Sequence, residues 1–115
     1  MQPQNDVIRT ALEDYKLPTI RTAHEAAFDT IVSQVRDFEA ALADSEAVGG
    51  MLASFGQTVT LQITHISRAG QFLCFDGVTN EGDVARLVQH YTQSSLLLVK
   101  LTVPTKPNPI GFTAQ

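Results

Sequence analysis

The chain contains a single cysteine, Cys74, and no tryptophan. One thiol excludes an intrachain disulfide framework. A nucleophilic thiol needs an activating base, and none is implied beside Phe72-Leu73-Cys74-Phe75, which reads as a buried apolar run. Positive charge is also scarce: eight basic residues face twelve acidic ones, for a net charge of −4 and a pI near 5.1. Arg9, Lys16, Arg21, Arg36, Arg68, Arg86, Lys100 and Lys106 are scattered. They form no stripe that would neutralise a phosphate backbone, which excludes a general DNA or RNA binder. Two or three converging arginines would still suffice for one small anion. No apolar run is long enough to cross a bilayer, and the start, MQPQNDVIRT, lacks the apolar segment of a secretion signal. A cytoplasmic protein with no membrane partner is expected.

Catalytic and metal-binding patterns are missing as well. His24, His65 and His90 lack the compact His/Cys spacing of a zinc site. Asp76, Glu81 and Asp83 surround one turn but do not follow the calcium-loop pattern. Gly49, Gly50 and Gly56 do not stand in the order of a phosphate-binding loop.

What is present is enough for one folded domain, 1–115, since 43% of its 115 residues are hydrophobic. It divides into an N-terminal segment (1–21), a helix-plus-sheet core (22–103) and an extended arm (104–115). Asn5 or Asp6 can cap a short helix to about Tyr15, closed by Leu17-Pro18. Thr22-Ala23-His24-Glu25 is a capping box. Behind it Phe28, Ile31, Val35, Phe38 and Leu42 form a helical stripe, widened by Val32 and Ala41. This predicts a long helix over about 22–47, ended by Gly49-Gly50.

Beyond the glycines the period becomes two. Val59, Leu61, Ile63 and His65 are predicted on one strand face, with Thr60, Gln62, Thr64 and Ile66 on the other. Arg68-Ala69-Gly70-Gln71 reads as a turn, Phe72–Val78 as the hairpin partner, Thr79–Asp83 as a second turn and 84–91 as a third strand. Residues 92–103 read as a short helix giving way to extended chain. Pro104, Pro107 and Pro109 exclude helix from the end, and Ile110 and Phe112 predict an arm that docks on the body or on a neighbouring subunit. The class is α+β: helices packed on an antiparallel sheet of three to four strands.

The candidate binding residues are polar and aromatic. Arg86, Gln89, His90, Tyr91, Thr92 and Gln93 cluster at the end of the third strand, with Phe75, Phe72 and Arg68 nearby in the hairpin. Aromatic faces stack on bases, while amides and arginines read base edges and phosphates.

The order VRDFEAAL, VGGMLASFGQTVTLQITHIS, FLCFDGV, ARLVQHYTQSSLLLV and KPNPIGF resembles a group of small phage and prophage proteins. That group is similar to the anti-Thoeris sponge proteins of the first described kind. The resemblance spans 28–112 and is most specific at SFG, at Gln89-His90 with Gln93, and at the terminal Ile110-Gly111-Phe112. It implies a protein that is not an enzyme and needs no cofactor. Such a protein is a homo-oligomer that holds cyclic ADP-ribose isomers, and in some members cyclic oligonucleotides, at subunit interfaces. It further implies ligand contacts from Gln89 and His90, Thr92 and Gln93, and from Lys106 in the arm; Asn108, where the arm departs from the pattern, is a further candidate contact. Where the pattern carries an arginine before IGF, this chain has Asn108-Pro109, so Lys106 or Arg86 would have to supply the cation. The reading from another class is a small acidic dimeric chaperone or adaptor that holds a polypeptide in apolar grooves.

Overall fold

The computed structural model describes residues 21–54 and 56–115. The short helix expected to run to about Tyr15 lies outside them. Among these residues the fold is α+β, one α-helix on one six-stranded sheet.

The helix, α1 (Ala23–Ala40), begins where the capping box places it. The Glu25 N–H donates to Thr22 Oγ1 (3.3 Å), and the Thr22 N–H donates to Glu25 Oε1 (3.3 Å). Two of the helix's orphan donors are thereby satisfied. Phe28, Val32 and Val35 are buried, while Ile31, Phe38 and Leu42 flank them. The helix stops at Ala40, short of the expected 47, because 46–54 is already a strand, β1 (Glu46–Ser54). Gly49 and Gly50 are strand residues, not a helix terminator. A Cβ at Gly49 would lie 2.8 Å from Val99 Cγ2 and 2.7 Å from Leu101 Cγ, and one at Gly50 would lie 2.6 Å from Ile63 Cδ1. They are glycine because side chains from neighbouring strands fill the space above both faces of β1.

β2 (Gln57–Ala69) and β3 (Phe72–Val78) form the predicted hairpin, and β4 (Val84–His90) follows. After a 3₁₀ turn at Tyr91–Gln93, β5 (Leu96–Thr102) pairs with β1, and β6 (Gly111–Ala114) closes the chain. The order is β4-β3-β2-β1-β5, antiparallel throughout, with β6 parallel to β2. The sheet therefore exceeds the three to four strands expected. Residues 96–102 are strand, and only the 3₁₀ turn remains of the expected helix. β-branched Val99 and Thr102 and the ladder to β1 decide this.

The long β2 serves three neighbours. Its first half pairs with β1, its second half with β3 on one side and β6 on the other. A register shift between Ile63 and His65 changes its facing. Leu61, Ile63 and Ile66 all enter the core under α1, while His65 turns to the uncovered face. The simple alternation expected, with His65 beside Ile63 and Ile66 opposite, is overturned by this bulge. Gly77 lies against the same irregularity, where a Cβ would lie 2.3 Å from the Gln62 carbonyl oxygen.

The core sits between α1 and one sheet face. Phe75, Leu52, Leu61, Ile66, Leu73 and Val35 are its fully enclosed members, each stabilising the fold by about 1.5–3 kcal/mol on burial. The arm docks on its own body. Ile110 is buried, its N–H donates to Glu39 Oε2 (3.0 Å), and the Arg36 guanidinium lies 4.9 Å above the Phe112 ring centroid.

Candidate functional site

Strand alternation divides the predicted cluster between two faces. Paired residues share a face, so the register of β3 with β4 sets Phe72, Cys74 and Asp76 beside His90, Val88 and Arg86 on the uncovered side. Leu73, Phe75 and Gly77 face α1 beside Gln89, Leu87 and Ala85. The segment Gln89-His90-Tyr91 is therefore not one site.

On the uncovered face Arg86 is held in a fork. Its Nε and Nη2 donate to Asp76 Oδ1 (2.5 Å) and Oδ2 (3.0 Å). Bidentate pairing fixes the guanidinium plane, and the hydrogen bonds and charge of Asp76 raise the Arg86 pKa above its ordinary value. The side chain stays 61% exposed, so Nη1 and the flat face remain open to a ligand. Next to it a hollow of about 260 Å³ is lined by His65, Ser67, Arg68, Cys74, Arg86 and Thr113. His65 Nε2 and Thr113 Oγ1 are hydrogen-bonded at 2.9 Å. β6 approaches His65 closely because Gly111 has no side chain: a Cβ there would be 2.5 Å from His65 Nδ1.

At the other end of β4 His90 is fixed through both ring nitrogens. The Thr92 N–H donates to Nδ1 (3.3 Å), and Thr92 Oγ1 lies 2.8 Å from the same atom. Nδ1 is thus the acceptor, and the ring proton sits on Nε2, which donates to Gln71 Oε1 (2.9 Å). The exposed ring of Phe72 meets His90 edge-on at 5.4 Å. Tyr91 packs behind it, 4.9 Å from His90 and 6.1 Å from His24 by ring centroids. Thr92 and Gln93 are exposed on the 3₁₀ turn.

The other predicted residues lie elsewhere. Phe75 is wholly buried under α1 and offers no face to a ligand. Gln89 is 8% exposed, and its Nε2 donates to the Ala53 carbonyl (3.0 Å), tying β4 back to the end of β1. Lys106 and Asn108 lie in the arm near the C-terminal end of α1, and Lys106 Nζ is 3.5 Å from Asp44 Oδ1. That corner also carries Glu39 and Glu46, so Lys106 is balanced by acid and stands apart from Arg86. Sequence reasoning passed over His65, Gln71 and Thr113. The parity of Phe72 against Phe75 was visible in the sequence, but the bulge that turns His65 was not. Among the described residues, no three His, Cys, Asp or Glu side chains stand together as a metal site, and no helix is long and apolar enough to cross a membrane.

The chain matches no curated protein and no solved structure. A family of unknown function, DUF6173, matches residues 18–113. That span runs from ahead of the capping box into β6, taking in α1 and five complete strands, and the chain therefore belongs to the DUF6173 family.

Proposed function

We propose that the protein is a phage-type immune-evasion protein of the bacterial host cytoplasm. In this reading it binds a cyclic nucleotide immune signal, a cyclic ADP-ribose isomer or a cyclic oligonucleotide, and sequesters it without degrading it. The observation that carries the reading is the uncovered sheet face, where the Asp76-locked Arg86 and the Phe72–His90 ring pair project from the same strands. Arg86 and His90 are four residues apart on β4, about 13 Å along the strand, a separation on the scale of a nucleotide from base to pyrophosphate. The guanidinium serves the phosphates, and the exposed Phe72 ring, set edge-on to His90, stacks on the base. Both are pre-set by neighbours, which lowers the ordering cost of binding. A second subunit laid over this face would enclose the ligand. The sequence resemblance supports the same reading.

Titration calorimetry against cyclic ADP-ribose isomers and cyclic di- and trinucleotides tests it, with the bound compound recovered by heating and its mass measured. Tight binding of one compound, recovered intact, is expected. Arg86→Ala should weaken it by roughly tenfold to a hundredfold, the worth of a hydrogen bond to a charged group. No binding across the series, or recovery of a cleaved product, would sink the reading. The exposed Val84, Val88 and Leu97 favour the second reading, a chaperone or adaptor for a polypeptide. That reading would show as co-purification with one protein and indifference to nucleotides.

A further inference from the structure

We propose that two copies of this chain join through their β5 strands, antiparallel and in register about Val99, so that two sheets run on as one. This contact rests on β5 alone and is independent of the ligand reading.

An unpaired sheet edge is a row of backbone donors and acceptors that templates another strand. Proteins that stay apart blunt such edges with proline, bulges, charge or a covering segment. Among the described residues β4 and β5 are the end strands of the main path. β4 carries Arg86 at its centre, and near its end Gln89 ties back to Ala53. β5 is blunted by one charge, Lys100, and among the described residues no strand pairs with its outer edge. Leu96–Thr102 contains no proline or glycine, its ladder to β1 runs from Glu46↔Thr102 to Leu52↔Leu96 without a shift, and its only charge is Lys100.

The sequence of β5 selects the register. Centred on Val99, all seven residues pair: Leu96 with Thr102, Leu97 with Leu101, Leu98 with Lys100, and Val99 with itself. Centring on Lys100 sets like charges directly opposite, which is destabilising. Centring on Leu98 leaves Leu101 and Thr102 beyond the partner strand. The Val99 register alone uses the whole strand. It places Leu97, Val99 and Leu101 of one copy against Leu101, Val99 and Leu97 of the other on the uncovered face. Leu97 is 59% exposed in the single chain, and this pairing covers it. The contact is isologous, so it closes at two copies. β5 lies at the opposite end of the strand order from β4 and its Arg86, so this contact is separate from any subunit laid over the candidate binding face.

The test is light scattering of the full chain over a concentration series, with disulfide trapping under mild oxidation. The expected mass is twice the 12.5 kDa of one chain. Val99→Cys should trap a covalent dimer, because the two residues are directly opposed across the dyad. Leu97→Cys should not bond to itself, since its two copies lie about 13 Å apart along the strands. Val84→Cys, on the far edge, should not trap either. A mass of one chain throughout the series would overturn the proposal, whether the edge is bare or occupied by some other polypeptide. So would a dimer that Val84→Cys traps and Val99→Cys does not. None of these readouts uses a nucleotide, so failure of the sponge reading leaves them unaffected.

Discussion

The two faces of the sheet use the same strands for opposite purposes. Beneath α1, Phe75, Leu73, Leu61 and Ile66 are wholly enclosed, and Gln89 enters only with its amide nitrogen bonded to Ala53. On the uncovered face Asp76 pairs with Arg86, Phe72 meets His90 edge-on, and His90 and His65 bond to Gln71 and Thr113, while Phe72 and Arg86 stay exposed. Each step along β3 or β4 crosses from one environment to the other. The packed core and the candidate site are thus separated by parity, and a substitution on one face need not disturb the other.

That separation can be broken or sharpened by substitution. The largest effect is expected at Phe75→Ala, which opens a cavity under α1 and should cost about 3–5 kcal/mol. Urea denaturation checks this, with Phe72→Ala as its counterpart on the uncovered face and a far smaller shift expected there. Equal losses would dissolve the distinction between faces. Next is Gln89→Ala. It removes the hydrogen bond to the Ala53 carbonyl, which is exposed enough to take water, and should cost about 0.5–1.5 kcal/mol, read as a lower urea midpoint and faster amide exchange at the end of β1. An unchanged midpoint would show that the tie between β4 and β1 adds nothing to stability.

Smaller effects lie at the helix start. Thr22→Ala should cost about 1 kcal/mol, measured by thermal melting. Glu25 adds a pH signature. Its hydrogen bonds to the Thr22 side chain and backbone hold its carboxyl below the ordinary 4.5. A group with a depressed folded-state pKa contributes stability above the unfolded value and loses it as the pH falls through the folded value. The stability gap between wild type and Glu25→Gln should therefore be present at neutral pH and should close below 4.5; a gap that persisted in acid would exclude the carboxylate as its source. The smallest stability effect belongs to Arg86→Ala, because an exposed ion pair contributes little to folding. Its urea midpoint should match wild type while nucleotide affinity falls. A large loss of stability would make Arg86 structural.

Much of this was legible in the chain. The capping box fixed the start of α1, and the apolar stripe from Phe28 to Leu42 fixed its buried face, because both are local patterns. The β2–β3 hairpin and β4 followed from alternation and turn residues. The strand at 46–54 was not legible, because its glycines imitate a helix stop. They are there to admit Val99, Leu101, Ile63 and Leu96, residues that no local window contains. The same holds for β5, whose leucines suit a helix until the ladder to β1 is seen. At the candidate site, Arg86 and His90 were readable from composition and order. His65 was hidden by the bulge, and Phe75 was misplaced, since parity alone does not say which of two opposite faces is covered.

By itself the sequence determined the α+β class, the helix start, the hairpin and the extended, helix-free end of the chain. These depend on neighbours in the chain, where spacing and propensity act directly. Only the tertiary structure decided which parity of β3 and β4 lies under α1, where β2 slips its register, and that Asp76 locks Arg86 while Lys106 is held by Asp44. Those outcomes turn on contacts between residues distant in sequence, and the energy that selects them exists only once the strands have met.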